Sequence, residues 1–271
     1  MVVDPESSLH LNHVEHPGEG PYCLLVHGAL GSRSYWMDNI AALATVCRPV
    51  VVELWGHGSS PSPSDPARYE PASYLAEFEH LRNELGVDRW FTVGQSMGAA
   101  LTMYYGLAHP QRVIAQVITN CNSGFTDPHL WQERNRTMVT KMADRVEAEG
   151  VETLRDSWVN PGRSRRIAEH VREQLQAEFS EHSPAGIAQS FRVTNYALPL
   201  GDQVENITVR TLLTHGIEEE GFLDKLDQVQ RIPDVEIVEL PASHAVNAHD
   251  PKGWDAAVID FFQRARSAEL G

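Results

Sequence analysis

Residues 94–98 of this 271-residue chain form a G-x-S-x-G pentapeptide, which directly follows the apolar run 90–93. Between a strand and a helix, this pattern places the central Ser96 on a tight turn with its hydroxyl exposed. The amide of Met97 and the positive end of the next helix then point towards an oxyanion that forms when the serine attacks a carbonyl. Glycine and serine are common in loops, so the surrounding sequence has to decide whether the pattern is functional.

The segments on either side of Ser96 favour a functional interpretation. An apolar run at residues 22–26 leads into a His-Gly pair, and a strand-like run at residues 235–240 precedes His244. The chain therefore carries, in order, a glycine-containing loop, a serine and a histidine. This order resembles that of the α/β-hydrolase superfamily, which implies that the acid of a catalytic triad lies between the serine and the histidine.

This succession of motifs resembles the α/β-hydrolase superfamily over nearly the whole chain. The resemblance implies a mostly parallel central sheet flanked by helices, with a helical cap inserted after the sixth strand of the family. Glu53 and Trp55 stand where the family usually has aspartate and proline. The other segments that carry the resemblance are the loop at 26–31, the G-x-G-x-S turn at 56–60, the strand end at 211–219 and the histidine loop at 244–251.

Short β-rich runs alternate with helical runs, as expected for a parallel sheet that is covered on both faces. The predicted strands are residues 9–14, 23–26, 49–53, 90–93, 113–119, 209–214 and 235–239, and the predicted helices are residues 35–44, 72–85, 97–109 and 254–266. No strand is predicted within 122–205, where the sequence is helical, charged and aromatic. We therefore predict a core domain of residues 1–121 and 206–271 and a helical cap of residues 122–205.

The composition favours a soluble enzyme that acts on a small molecule. The formal net charge of -15 at pH 7 disfavours nucleic acid and anionic membranes as partners, because both attract basic side chains. No apolar run approaches the ~20 residues that span a bilayer, and residues 1–6 lack the features of a signal peptide, so the expected location is cytoplasmic. Cys23, Cys47 and Cys121 are expected to be reduced. The oligomeric state is left open, with a homodimer among the alternatives.

The one basic cluster consists of Arg163, Arg165 and Arg166, with Arg172 beyond it. Two interpretations are open: the cluster attracts a carboxylate on the substrate, or it forms the solvated start of a helix. We favour the second, because runs of arginine are usually exposed to solvent.

The resemblance assigns a role to each residue of the predicted triad. Ser96 is the expected nucleophile, and His244 is the base that takes its proton. A carboxylate holds the other ring nitrogen of the histidine. In the family this acid commonly falls three residues after the glycine that ends its strand, which selects Glu219. The other candidates are Glu218 and Glu220, which we expect to point into solvent, and Asp127, which is the alternative acid.

The expected oxyanion hole consists of the amides of Ala29 and Met97. Aromatic side chains of the predicted cap either line a substrate pocket or pack its helices against one another. The residues predicted to line the pocket are Leu30, Trp36, Phe125, Trp131, Trp158, Phe191 and Val246.

The predicted function is hydrolysis of a small carboxylic ester or lactone through an acyl-enzyme intermediate. Epoxide hydrolases and haloalkane dehalogenases of the superfamily attack with an aspartate where this chain has Ser96, so those reactions are disfavoured. One alternative is a carbon–carbon bond hydrolase of the meta-cleavage type, although residues 27–32 lack the proline common in that branch. The other is a small-molecule receptor with little turnover. No metal-binding or phosphate-binding motif is found, so neither a metal nor a cofactor is expected.

Overall fold

The computed structural model describes residues 5–270, which form a seven-stranded sheet flanked by helices. The strand order is β1-β3-β2-β4-β5-β6-β7, and among these strands only β1 pairs antiparallel to its neighbour. This confirms the mostly parallel sheet that the sequence predicts. The strands are β1 (His13–Glu15), β2 (Tyr22–Val26), β3 (Arg48–Val52), β4 (Trp90–Gln95), β5 (Val113–Thr119), β6 (Thr211–Gly216) and β7 (Glu236–Leu240).

The first strand is shorter than the prediction of residues 9–14. The amide of Leu11 donates to Glu77 Oε2 at 3.2 Å, and the amide of Asn12 donates to Ser60 Oγ at 2.8 Å. Side chains therefore occupy backbone donors that a strand ladder would otherwise use, and pairing with β3 begins only at the next residue.

Helices cover both faces of the sheet because alternate residues of each strand point to opposite sides. Leu24 and Val26 of β2 pack with α2 and α3, whereas Cys23 and Leu25 pack with α1 and α11 on the other face. The helices are α1 (Met37–Leu43), α2 (Pro71–Glu84), α3 (Met97–Ala108), α4 (Pro128–Glu149), α5 (Glu169–Glu178), α6 (Pro184–Gln189), α7 (Asn195–Ala197), α8 (Glu220–Leu223), α9 (Leu226–Val229), α10 (Val246–His249) and α11 (Pro251–Leu270).

The connection from β5 to β6, residues 120–210, is helical and contains no strand in the described structure. We call it the helical segment. The helical segment follows the fifth strand of the described structure, whereas the prediction, which uses the strand numbering of the family, places it after the sixth. Val139, Ala143 and Val146 of α4 form the centre of a separate apolar cluster, which also includes Leu30 from the loop after β2. The helical segment therefore has its own small core, while its treatment as a cap domain of residues 122–205 stays a prediction.

The helical segment approaches the G-x-G-x-S turn very closely at two glycines. A Cβ on Gly56 would lie 2.5 Å from the Cα of Gly186, and the φ of Gly56 is +74°. The amide of Ser183 donates to the Gly56 carbonyl at 2.9 Å. Glycine is required on both sides of this contact, because any side chain would force the two backbones apart.

Candidate active site

The turn between β4 and α3 holds Ser96 in a strained backbone conformation. Its φ and ψ are +53° and -116°, which non-glycine residues rarely adopt. The Ser96 amide donates to the Thr119 carbonyl at 3.0 Å, which fixes the turn against β5. Gly98 lets α3 begin close to β2, because a Cβ there would lie 2.2 Å from the Val26 carbonyl oxygen. The serine is thus held at the carboxyl edge of the sheet, where it lines a cavity.

Glu219 and His244 lie together at this same edge. His244 Nδ1 is 2.8 Å from Glu219 Oε1, although Glu219 follows β6 and His244 follows β7. Gln95 Nε2 donates to the backbone carbonyl of His244 at 3.2 Å, which ties the histidine loop to the serine turn. Ser96, Glu219 and His244 therefore line one cavity. A carboxylate only accepts hydrogen bonds, so the proton of a neutral His244 ring sits on Nδ1 and leaves Nε2 as an acceptor.

Two asparagines directly after β5 hold the Glu219 carboxylate. Asn122 Nδ2 donates to Oε1 at 2.6 Å, and Asn120 Nδ2 donates to Oε2. Asn120 Oδ1 also accepts from the Gly216 amide at 3.1 Å, which joins the ends of β5 and β6. With these donors and His244, the orientation of the carboxylate is fixed. Neither asparagine is among the site residues predicted from the sequence, where the available signal is their position at the end of the strand beside the acid-bearing strand.

The other candidate acids have different surroundings. Glu218 is exposed and binds the Arg166 guanidinium. Glu220 is exposed at the start of α8. Asp127 accepts from two amides of the first turn of α4, at 2.9 and 3.0 Å, and so serves as the N-cap of that helix.

Ala29 and Met97 line the same cavity. Met97 is the first residue of α3, where amides have no acceptor within the helix. Within residues 5–270, neither amide donates a hydrogen bond. The next residue after Ala29, Leu30, has a φ of +55°, so the loop that carries the first of these donors is itself strained. Both amides are therefore left without an acceptor among the described residues.

Three buried histidines pack together at the loop after β2, which carries Ala29. Their ring centroids are 5.2 Å apart for His27 and His57 and 5.4 Å apart for His57 and His182. His182 Nδ1 accepts from the Gly58 amide at 2.9 Å, so Nε2 carries the proton and donates to the Leu30 carbonyl at 3.3 Å. Burial, reinforced by His27, lowers the pKa of His182 to about 4. Burial also lowers the pKa of His27 and of His57, so all three rings are neutral near pH 7.

A buried carboxylate from α5 binds the continuation of this loop. Ser32 Oγ donates to Glu178 Oε2 at 2.6 Å, and Ser34 Oγ donates to Glu178 Oε1 at 2.8 Å. Arg33 lies 3.3 Å from the same carboxylate. Burial opposes ionisation of Glu178, but the hydrogen bonds from Gln174 and the two serines, with the charge of Arg33, hold its pKa below the ordinary value. The helical segment thus fixes the shape of the Ala29 loop.

The cavity beside Ser96 has a volume of about 1090 Å³ and is bounded by the strand ends and the helical segment. Three of the seven residues predicted to line a pocket contribute to its wall: Trp131, Trp158 and Phe191. The other four lie in the apolar clusters of the interior: Leu30, Trp36, Phe125 and Val246. Each of these four is at most 3% exposed, because its side chain fills space between packed elements.

The part of the chain that the structure describes contains no group of three or more His, Cys, Asp or Glu side chains suited to a metal ion. None of the described helices combines the length and the apolar sequence needed to cross a membrane. The three cysteines are buried free thiols, and burial raises the pKa of Cys121 to about 11.

Comparison with known proteins defines the class to which this fold and site belong. A family model for the alpha/beta hydrolase fold matches residues 23–215. The chain belongs to the α/β-hydrolase family, as its motifs and its sheet indicate. Known members of the family include enzymes such as lactonases and carboxylesterases.

Three individual proteins illustrate this relationship. A putative 2-succinyl-6-hydroxy-2,4-cyclohexadiene-1-carboxylate synthase of Bacillus subtilis (strain 168) is 26% identical over 91% of this chain and 92% of its own. The enol-lactonase from Burkholderia xenovorans LB400 has a TM-score of 0.76 and 22% identity, covering 93% of this chain and 96% of its own. A carboxylesterase of Nitrososphaera gargenis has a TM-score of 0.80 and 18% identity, covering 98% of both chains. These structural likenesses show the fold.

Proposed function

We propose that the protein is a serine hydrolase that cleaves a small carboxylic ester or lactone through an acyl-enzyme intermediate. The observation that carries the proposal is the 2.8 Å contact between His244 Nδ1 and Glu219 Oε1, in the wall of the cavity that Ser96 also lines. Nucleophile, base and acid then stand in the order and the environment that acyl transfer requires. The lactonase and carboxylesterase of the same fold support this choice of substrate class.

In the proposed first half-reaction, Ser96 Oγ attacks the substrate carbonyl carbon and His244 Nε2 takes the hydroxyl proton. Glu219 holds the ring by its other nitrogen and stabilises the imidazolium that forms. The amides of Ala29 and Met97 donate to the oxyanion, and each such donor lowers the barrier by about 3 to 4 kcal/mol.

The second half-reaction returns the enzyme to its starting state. The tetrahedral intermediate collapses as His244 gives its proton to the leaving alkoxide, which leaves the acyl group on Ser96. His244 then deprotonates a water molecule, the resulting hydroxide attacks the acyl carbonyl, and the carboxylic acid leaves as Ser96 regains its proton. With a lactone, the alcohol and the acid belong to one product molecule.

We also propose that the helical segment acts as a cap over the substrate. Trp131, Trp158 and Phe191 of this segment contribute apolar surface to the cavity wall. Trp158 is 74% exposed, which is unusual for a tryptophan that serves only to pack the interior. A substrate with apolar groups would cover this surface on binding.

A second candidate function is the activity that names the Bacillus subtilis relative, because that protein aligns with almost the whole of this chain. It is tested by measuring formation of 2-succinyl-6-hydroxy-2,4-cyclohexadiene-1-carboxylate. Production of this compound at a higher kcat/KM than the hydrolysis of any ester or lactone would replace the proposed function.

The direct test of the proposal compares Ser96→Ala with Ser123→Ala, since both serines line the cavity. A panel of p-nitrophenyl esters and lactones is assayed, and folding is checked by circular dichroism. We expect Ser96→Ala to lose on the order of 10^4 to 10^6 in kcat. We expect Ser123→Ala to retain most activity, and a fluorophosphonate to label Ser96 in the wild type.

Retention of a tenth of wild-type activity in Ser96→Ala would show that this serine is not the nucleophile. If the wild type and Ser96→Ala were equally inert while a ligand still raised the thermal stability of both, a receptor role would replace the enzyme.

A further inference from the structure

Four basic side chains line the cavity beside Ser96, in a chain whose net charge is -15. They are Arg134, Arg163, Arg165 and Lys225. Within the described residues, none of the four has a carboxylate within 4.0 Å, whereas most other arginines of the protein are paired. Two acidic residues line the same cavity, Asp156 and Glu219, and Glu219 is already bound to His244. The cavity wall is therefore locally cationic.

Arg163 and Arg165 lie on a segment that hydrogen bonds hold next to His244. Between them, Ser164 Oγ is 2.9 Å from His249 Nε2. His249 Nδ1 accepts from the amide of Ser243 at 3.3 Å, and Ser243 directly precedes His244 in the chain. The proton of His249 is thus on Nε2, which donates to Ser164.

The protonation state of His249 and the contacts of Arg166 both favour this arrangement near neutral pH. Burial, with the nearby charges of Arg166 and His244, lowers the pKa of His249 to about 4, so the ring keeps the single proton that this arrangement needs. Arg166 donates to the Pro241 carbonyl at 2.9 Å and binds Glu218, on the other side of the histidine loop. The remaining two arginines of the cluster are left free at the cavity.

We infer that the substrate of the proposed hydrolase carries a carboxylate group, which Arg163 and Arg165 bind while Ser96 attacks the ester or lactone carbonyl. Arg134 and Lys225 add positive charge to the same wall. Guanidinium groups suit this task because their planar donors match the two oxygens of a carboxylate. The inference rests on the proposed function and names the chemical class of its substrate.

The structure also separates the two interpretations that the sequence left open for this cluster. Arg166 and Arg172 are paired with carboxylates of the protein, Glu218 and Glu169. These two arginines are solvated structural groups, as the favoured interpretation holds. Arg163 and Arg165 are also exposed, but they have no such partner and line the cavity, so we assign the substrate-binding interpretation to them.

The kinetic test uses two esters of equal shape and different charge, mono-p-nitrophenyl adipate and p-nitrophenyl 6-methylheptanoate. The first ends in a carboxylate and the second in an uncharged isopropyl group. The variant is Arg163→Gln/Arg165→Gln. The matched control is Arg136→Gln/Lys141→Gln, which removes two cations of α4 that are exposed and lie outside the cavity wall.

We expect the wild type to prefer the charged ester by roughly tenfold or more in kcat/KM, and the preference to fall by a similar factor in Arg163→Gln/Arg165→Gln. The control should keep the preference, because distant exposed charges are screened by salt. The loss should appear mainly in KM, since the carboxylate contact is the same in the ground state and the transition state. A wild type that prefers the uncharged ester, or a preference that survives Arg163→Gln/Arg165→Gln, would overturn the inference.

A binding measurement keeps this inference separate from the proposed chemistry. Adipate and dimethyl adipate are titrated calorimetrically into Ser96→Ala, with and without Arg163→Gln/Arg165→Gln. We expect adipate to bind at least roughly tenfold more tightly than the diester, and only when both arginines are present. Equal affinities would refute the anionic subsite even if esters are hydrolysed. Selective adipate binding by a wild type that hydrolyses no ester would refute the proposed function and leave the subsite standing.

Discussion

The neutral, buried His182 makes the stability of this protein dependent on pH in a way that can be calculated. Its ring accepts from the Gly58 amide and donates to the Leu30 carbonyl, so it needs one proton and not two. A second proton would break the contact with Gly58 and place a charge in a buried site. The ordinary pKa of the side chain is 6.5, and burial lowers it to about 4 in the folded protein.

The sign and the size of the effect follow from these two pKa values. Between pH 6.5 and pH 4 the unfolded chain binds more protons at His182 than the folded chain, so the free energy of unfolding falls as the pH falls. The full difference corresponds to about 3 kcal/mol, and most of it is lost by pH 4.5. Above about pH 7.5 the ring is neutral in both states and contributes no pH dependence.

Urea denaturation at pH 7 and pH 4.5 measures this contribution in the wild type, in His182→Gln and in His129→Gln. His129 is an exposed residue of α4 and controls for loss of a histidine as such. The glutamine at position 182 lowers stability at pH 7 by removing one hydrogen bond. The stability that His182→Gln loses between pH 7 and pH 4.5 should nevertheless be about 2 to 3 kcal/mol smaller than the loss in the wild type or in His129→Gln. Equal losses in all three proteins would refute this account of His182.

Two further predictions concern carboxyl groups. Glu219→Gln should lower kcat by about 10^3 to 10^4, because its amide group cannot accept from both His244 and the two asparagines. The control Glu220→Gln should keep a kcat near that of the wild type. A collapse of kcat in Asp127→Asn instead would show that the acid is misassigned. Burial and two nearby carboxylates raise the pKa of Asp255 to about 7. The contribution of Asp255 to the free energy of unfolding therefore falls as the pH rises from about 4 to 7, opposite in sign to that of His182, and Asp255→Asn should raise the melting temperature at pH 8 but not at pH 5. A gain independent of pH would contradict this.

The strands of the sheet could be predicted because the sequence pattern that specifies each strand lies within the strand itself and the residues next to it. Val113–Thr119 was predicted and observed with identical ends, and the other parallel strands start and end within two residues of their predicted positions. Apolar β-branched runs between helical runs leave few alternatives for such segments. The first strand was misplaced because side chains from distant parts of the chain, Glu77 and Ser60, bind its backbone amides. No local pattern contains that information.

Residues of the candidate site could be predicted only where a sequence motif is associated with a known chemical role. Ser96, Glu219 and His244 were selected by order and spacing along the chain, and the structure places them in one cavity wall. Asn120 and Asn122 were not assigned, since their role arises from the neighbouring strand end that the fold brings to them. Large apolar residues are ambiguous for a related reason. A tryptophan or phenylalanine in the sequence looks the same whether it fills the interior or lines a cavity.

The contacts of the helical segment bear on how far it can be exchanged between members of the family. Glu178 and His182 belong to this segment, yet both bind the loop that carries Ala29. Because Leu30 in this loop has a φ of +55°, its conformation persists only while neighbouring groups hold it. Removing the segment would leave the hydroxyls of Ser32 and Ser34 without their buried carboxylate. If Ala29 supplies an oxyanion donor as proposed, the segment therefore controls kcat as well as substrate choice, and a transplanted cap would have to bring equivalents of Glu178 and His182.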